Sequence, residues 1–159
     1  MLLPDQDRRR WDRLLIRRGL AALERAGDLG APVGPYTLQA AIAACHARAL
    51  SVEETDWPRI AHLYDVLGQV WPSPVVELNR AVAVGMAAGA REGLALVDAL
   101  VGSGVLRDYP MAPAVRADLL ERLGRREEAA AEFERAAALT RNERERAIFR
   151  GRAADCRVQ

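Results

Sequence analysis

Hydrophobic residues recur along most of this chain at the spacing of one helix face, and polar residues fill the positions between them. Between residues 7 and 26, Leu15, Ile16, Leu20 and Leu23 form one apolar row, and arginines occupy the opposite side. We find no stretch with the strict alternation expected of a half-buried strand. The pattern therefore predicts an all-α protein of about eight helices.

Glycine, proline and capping residues divide the chain into these helices. Pro35 suits the first turn of a second helix, and Asp56 suits the start of a third. The stretch Ser51-Val-Glu-Glu54 has the pattern of a capping box and offers another start for the third helix. Ser73 as N-cap and Pro74 after it predict a fourth helix. Counting from this fourth helix, the predicted helices span about 74–88, 90–101, 112–123 and 125–139, and a last one is capped within 140–143 and ends near 157.

Two stretches of the chain repeat each other at a fixed separation. Arg80-Ala81 recurs as Arg116-Ala117, 36 residues later (80 to 116). A separation of this size requires a whole supersecondary unit, and tetratricopeptide helical hairpins recur at about 34 residues. The packing positions of such a hairpin are well matched in one copy by Ala117, Gly124, Ala129, Phe133 and Ala136, and less well in the other by Ala81, Gly93, Val97 and Leu100.

The repeat predicts antiparallel helical hairpins stacked as a tetratricopeptide-like array. We expect a single domain over residues 1–159. Its predicted parts are an N-terminal helix and loop (1–34), a loose hairpin (35–72), a degenerate hairpin (73–104), and the clearest hairpin with a C-terminal helix (105–159). Gly85, Gly89 and Gly93 have helical spacing and predict packing notches and a turn.

Composition narrows the function classes. The 23 basic residues are all arginine and are balanced by 22 acidic ones, and no net basic face for nucleic acid is evident, so we expect no direct DNA binding. Two cysteines are too few for a disulfide framework, and no leader segment is apparent, so the cytoplasm is the expected compartment. The longest nearly apolar run, residues 81–90, is about half of a membrane span, so no membrane association is expected.

Catalytic and metal-binding patterns find no support in the sequence. His46 and His62 lack a third ligand at convincing spacing, and Cys45 points to a different helix face from His46. We find no nucleophile with a base, no phosphate-cradling glycine loop and no metalloprotease pattern. We therefore expect no enzyme, no cofactor and no metal. Asn79, in an otherwise apolar helix, is predicted to be a buried amide with a structural hydrogen bond.

Five segments in order resemble something narrower than a generic repeat. They are Asp5-Gln-Asp-Arg-Arg-Arg-Trp-Asp12, Leu38-Gln-Ala-Ala-Ile-Ala-Ala-Cys-His-Ala47, Thr55-Asp-Trp57, Leu63-Tyr-Asp65 and Pro72-Ser-Pro-Val-Val-Glu-Leu-Asn-Arg-Ala-Val-Ala-Val84. Together they resemble the C-terminal tetratricopeptide-like extension of extracytoplasmic-function (ECF) RNA polymerase sigma factors of bacteria. That family places its two promoter-recognition regions ahead of this extension, so the resemblance implies that this chain corresponds to the tail alone.

The resemblance implies a regulatory protein-interaction module that modulates transcription initiation by binding a partner or the sigma core regions. The expected partners are therefore the sigma core regions, RNA polymerase or a regulatory protein. A stand-alone tetratricopeptide-like adaptor, unrelated to transcription, is the alternative.

The predicted partner groove follows from the repeat. Counting from the two repeated alanines gives the positions that usually face the concave groove of such an array: Val75, Leu78, Val82, Met86, Met111, Asp118, Glu121 and Arg122. The first four are apolar and suit a partner helix, with Met86 as an adaptable contact. The charged residues would form a rim. Cover by neighbouring helices of the same chain is the other interpretation of these positions.

Overall fold

A computed structural model describes residues 34–158 together with residues 14, 16–18 and 21. Within these residues every regular element is an α-helix and none is a strand, which confirms the predicted all-α fold. The helices are α1 (Pro35–Arg48), α2 (Trp57–Val70), α3 (Pro74–Ala87), α4 (Ala90–Ser103), α5 (Met111–Arg122), α6 (Arg126–Leu139) and α7 (Glu143–Val158). Residues 14, 16–18 and 21 are helical and belong to the first predicted helix, the rest of which lies outside the described residues.

The start of α2 settles which of the two candidate caps is used. The Asp56 carboxylate accepts a hydrogen bond from the backbone N–H of Arg59 at 3.1 Å, so Asp56 is the N-cap. The Ser51 hydroxyl also accepts a bond, from the N–H of Glu54 at 3.3 Å, but a turn and not a helix follows it. Thr55 stabilises that turn by donating its hydroxyl to the Ser51 carbonyl at 2.9 Å.

The caps of α3 and α7 differ in chemistry. Ser73 is the N-cap of α3, but its side chain makes no cap bond, contrary to the prediction. Pro74 and the bond from the Glu77 N–H to the Ser73 carbonyl, 3.0 Å, define that start instead. The N-terminus of α7 is capped by Asn142, whose side-chain oxygen accepts the N–H of Arg144 at 3.0 Å. That cap lies within the predicted segment 140–143.

The chain forms two compact units, residues 1–72 and 73–159. In the first unit α1 packs against α2, and the buried side chains include Leu38, Ile42, Ile60 and Leu67. Trp57 lies at the junction of the two helices, where its indole N–H donates to the Val52 carbonyl at 2.9 Å.

In the second unit each helix from α3 to α7 packs against the next, and α3 also contacts α5. This is the packing of a helical-repeat array. The repeat positions lie in its core: Ala117, Ala129 and Ala136 are fully buried, and Phe133 is 2% exposed. Gly124 adopts φ +74° in the turn between α5 and α6, a conformation that favours glycine.

The degenerate copy contains the closest helix approach. A Cβ atom on Gly93 would lie 2.7 Å from the Gly85 Cα and 2.8 Å from the Ala81 carbonyl oxygen. The backbones of α3 and α4 therefore touch at these glycines, as their spacing predicts. Gly89, at φ +126°, forms the turn that joins the two helices.

Candidate functional site

The predicted groove residues of α3 separate into one buried and three accessible side chains. Val75 is 38% exposed, and Val82 and Met86 are half-buried. Leu78 is 1% exposed and belongs to the core, so no partner can contact it without unfolding the array. Leu78 precedes Ala81 by three residues, which places both on the side of α3 that packs inward.

Asn79 extends the accessible side of α3. Its side chain is exposed, so the prediction of a buried amide is wrong. Val75, Asn79, Val82 and Met86 follow one another at steps of four, three and four residues, which is the spacing of a single helix face. The accessible face of α3 is therefore apolar with one amide.

On α5 the predicted groove positions are mostly charged. Met111 is half-buried and packs against the core, and Arg122 is exposed. The side chains of Asp118 and Glu121 are 34% and 37% exposed. The accessible part of these positions on α5 is therefore mainly charged.

Arg152 of α7 forms ion pairs with the carboxylates of Asp118 and Glu121. Its Nη2 donates to Asp118 Oδ1 and to Glu121 Oε2, each at 2.7 Å. Its guanidinium carbon lies 4.6 Å from the centre of the Phe133 ring, within range of a cation–π contact. Arg152-Ala153 repeats Arg116-Ala117 after a further 36 residues (116 to 152), so Arg152 lies at the position of the next unit that is equivalent to Arg116.

The electrostatic environment of this cluster favours the charged form of Arg152. Burial opposes the charge on Arg152, but its hydrogen bonds to Glu121 and Asp118 and their charges outweigh burial, so its pKa is raised. The Cys156 thiol, close to Glu121, has its pKa raised chiefly by burial and further by that carboxylate. The cluster therefore holds an ion pair beside a buried thiol whose neutral form is favoured.

Arg116 forms a second ion-pair network on the same hairpin. Its Nε donates to Asp98 on α4 at 2.7 Å, and its Nη1 donates to Glu132 on α6 at 3.2 Å. Burial opposes the charge on Arg116, but the bond to Asp98 and the nearby carboxylates outweigh burial, and its pKa is raised. The network joins α4, α5 and α6.

Among the described residues, clefts away from the predicted groove include the following two. Cys45, Arg48, Ala49, Glu54, Asp56 and Arg59 line the first, and Val101, Gly102, Gly104, Leu106, Arg107 and Arg135 line the second. In the first, burial raises the pKa of Cys45, which Arg59 partly offsets. The second places two arginines beside the α4–α5 turn. Neither cleft is lined by a predicted groove residue.

The searches for a metal site and a membrane span cover only the described residues. Among them, three or more histidine, cysteine, aspartate or glutamate side chains do not come together as metal ligands would. Within the same part of the chain, no helix combines the length and apolarity needed to cross a membrane.

Sequence reasoning missed Arg152 and the Phe133 ring beneath it. The recurrence of Arg116-Ala117 as Arg152-Ala153, 36 residues later (116 to 152), could have placed Arg152 in the repeat. It also missed an apolar face on α1, where Tyr36 is 80% exposed and Ala40 and Ala43 are exposed; Leu50, just after the helix, is 62% exposed. Alanine on every side of α1 hides this face from a search for amphipathic helices.

Comparison with known proteins gives one informative relative. An uncharacterized protein of Rhizobium meliloti (strain 1021) is 47% identical over 150 residues. The match covers 94% of this chain but 35% of the relative, so the chain spans about a third of that protein. No family model matches the chain, and no solved structure matches it.

Proposed function

We propose that this chain is a regulatory protein-interaction module of an ECF sigma factor. It modulates transcription initiation by binding a partner or the sigma core regions. The observation that carries the proposal is the ordered set of five segments, from Asp5-Gln-Asp to the Pro72–Val84 stretch, which resembles the tail of these factors. The relative is consistent with this role, because about two thirds of it lies outside the match and has room for further domains.

The described surface favours binding over chemistry. The accessible face of α3 offers Val75, Val82 and Met86, which suit the apolar side of a partner helix. On the neighbouring α5, the carboxylates of Asp118 and Glu121 add a polar end. The proposal includes no catalysis, cofactor or metal and no direct DNA contact by this chain. Its place of action is the cytoplasm, where RNA polymerase works.

In vitro transcription tests the proposal. An ECF sigma factor that carries such a tail is purified without it, and this chain is added back in trans with RNA polymerase and a cognate promoter. We expect the added chain to change initiation and to bind the sigma core regions. Val75→Arg should weaken both effects, because it places a charge on the apolar face of α3.

A matched control is available in Val105, a valine that is 62% exposed in the α4–α5 connection. Val105→Arg makes the same chemical change away from the predicted groove and should leave binding intact. Equal loss in both variants would argue for non-specific charge effects. Tyr36→Arg tests whether the apolar face of α1 binds the sigma regions instead.

The alternative, a stand-alone adaptor unrelated to transcription, gives different results in two measurements. With an adaptor, neither initiation nor sigma binding changes when the chain is added. Reading the genomic DNA upstream of the Met1 codon supplies the second measurement. In-frame sigma regions there support the proposal, whereas a ribosome-binding site with no sigma gene nearby supports the adaptor.

A further inference from the structure

The charged end of the predicted groove already holds a guanidinium group. Arg152 reaches from α7 to α5, and both of its hydrogen bonds come from the same nitrogen, Nη2, at 2.7 Å to Asp118 and at 2.7 Å to Glu121. Phe133 lies under the guanidinium carbon at 4.6 Å. Two carboxylates above an aromatic ring are the groups that recognise an arginine side chain in proteins.

The contact with Arg152 can be replaced without moving α7. Phe149, Ala153 and Cys156 are the buried side chains of α7, and they hold the helix on the core independently of Arg152. The Arg152 side chain is 32% exposed, so rotation about its own bonds takes it into solvent. Ion pairs this exposed add little stability, and Nε and Nη1 of Arg152 serve neither carboxylate.

An incoming arginine can bind the same carboxylates better. A guanidinium that approaches from the groove can bind the two oxygens of one carboxylate through two of its nitrogens, and such bidentate pairs are stronger and more directional than a single hydrogen bond. Val82, one repeat before Asp118, offers an apolar contact on the neighbouring helix. A partner segment with an arginine beside an apolar residue therefore matches both ends of the groove.

We propose that Asp118, Glu121 and the Phe133 ring form a recognition site for an arginine of a protein partner, and that Arg152 closes this site by occupying it. The contact is thus autoinhibitory. This inference rests on the proposed function for the identity of the groove, but the arginine site can be tested without any partner protein.

The test uses the full chain and methylguanidinium as the probe. In Arg152→Ala the site is empty, and titration should give saturable NMR shifts of the Asp118 and Glu121 carboxyl carbons and of the Phe133 ring. In the wild-type chain Arg152 competes, and we expect the apparent affinity to be weaker by about fivefold, which corresponds to about 1 kcal/mol. Methylurea, which has a similar shape but no charge, should not bind.

Three variants control the interpretation. Arg150→Ala removes an exposed arginine from the same helix and should behave like the wild type. Adding Asp118→Asn and Glu121→Gln to Arg152→Ala should abolish the binding. Arg152→Gln keeps most of the side chain and replaces the alanine variant if circular dichroism shows that the alanine variant is not folded.

The inference is overturned if a folded Arg152 variant shows no saturable shift at these groups, or if the wild type binds the probe equally well. Either result leaves the proposed function untouched. Conversely, if the chain binds methylguanidinium as expected but does not bind the sigma core regions, the proposed function is refuted and the arginine site is not. Where both hold, Arg152→Ala should bind the sigma core regions more tightly than Arg150→Ala does.

Discussion

Replacing Gly93 by alanine should separate the two helices of the degenerate hairpin. The new Cβ would lie 2.7 Å from the Gly85 Cα and 2.8 Å from the Ala81 carbonyl oxygen. Both are backbone atoms, so a rotamer change cannot relieve the overlap. Either α3 and α4 move apart or the backbone bends, and both responses loosen the packing around Ala81, which is fully buried.

Two opposing terms set the size of the effect. Alanine is a better helix former than glycine by about 0.5–1 kcal/mol, whereas forcing an extra methyl group into a packed core costs about 1–3 kcal/mol. The cost of the steric overlap exceeds the gain in helix propensity, and we expect the free energy of unfolding to fall by about 1–2 kcal/mol. Gly85→Ala should be milder, because its worst contact is a mobile methyl group, Cδ2 of Leu119 at 2.6 Å.

The matched control is Gly151→Ala in α7. No heavy atom lies within 4 Å of a Cβ placed there, so only the helix-propensity term applies and the variant should be stabilised by about 0.5–1 kcal/mol. Urea unfolding followed by circular dichroism at the helix signal gives the three free energies. If Gly93→Ala is as stable as Gly151→Ala, the backbones of α3 and α4 do not approach each other as closely at Gly93 as described.

The sequence predicts the helices well because their ends have local causes. The turn at Gly124 requires a positive φ, and the predicted helices on each side of it, 112–123 and 125–139, end within a residue of α5 and α6. Asp56 and Pro74 start α2 and α3 for similarly local reasons. The repeat positions could be predicted because they need only small side chains at a fixed separation.

The groove was harder to predict because it depends on how each helix is rotated. Leu78 was assigned to the groove by counting from Ala81, yet it lies inward because residues three apart share a face with that alanine. Asn79, the next residue, is the exposed one. The contact of Arg152 with Asp118 depends on the register of α7 against α5, which no local pattern encodes.

Two further predictions concern titratable groups. Burial raises the pKa of the Cys45 thiol, and the charge of Arg59 partly offsets this rise. Iodoacetamide should therefore alkylate Cys45 slowly in the folded chain, faster in the unfolded chain, and most slowly in folded Arg59→Gln. Rapid alkylation of the folded chain would contradict the burial of Cys45. The pKa of Glu128 is lowered chiefly by its hydrogen bond to Arg125. This pair therefore stabilises the fold at pH values above the pKa that Glu128 has in the unfolded chain, and the stabilisation is lost as the pH falls through the lower pKa of Glu128 in the folded chain. Carboxyl-carbon NMR should show the Glu128 midpoint rising in Arg125→Gln, and an unchanged midpoint would refute the pairing.

The network around Arg116 links three helices of the second unit. Arg80 and Arg116 occupy equivalent positions; Arg80 pairs with Glu77, and Arg116 pairs with Asp98 and Glu132 of other helices. The position equivalent to Glu132 is Leu96 in the degenerate copy, one repeat of 36 residues earlier (96 to 132), so the cross-helix carboxylate is missing there. The clear hairpin therefore has a carboxylate at a position where the degenerate hairpin has a leucine.

Removing Arg116 tests this network. The Glu132 side chain is 15% exposed, and its Oε2 already lacks a hydrogen bond within the described residues, with Arg135 at 3.6 Å. Arg116→Gln should therefore leave a largely buried carboxylate poorly paired and cost about 1–3 kcal/mol of unfolding free energy. Asp98→Asn should cost less than about 1 kcal/mol, because the Asp98 side chain is 47% exposed. In a urea-unfolding double-mutant cycle, adding Glu132→Gln to Arg116→Gln should recover part of the loss. If Arg116→Gln costs no more than Asp98→Asn, Glu132 does not depend on Arg116 and the connection between α5 and α6 is apolar.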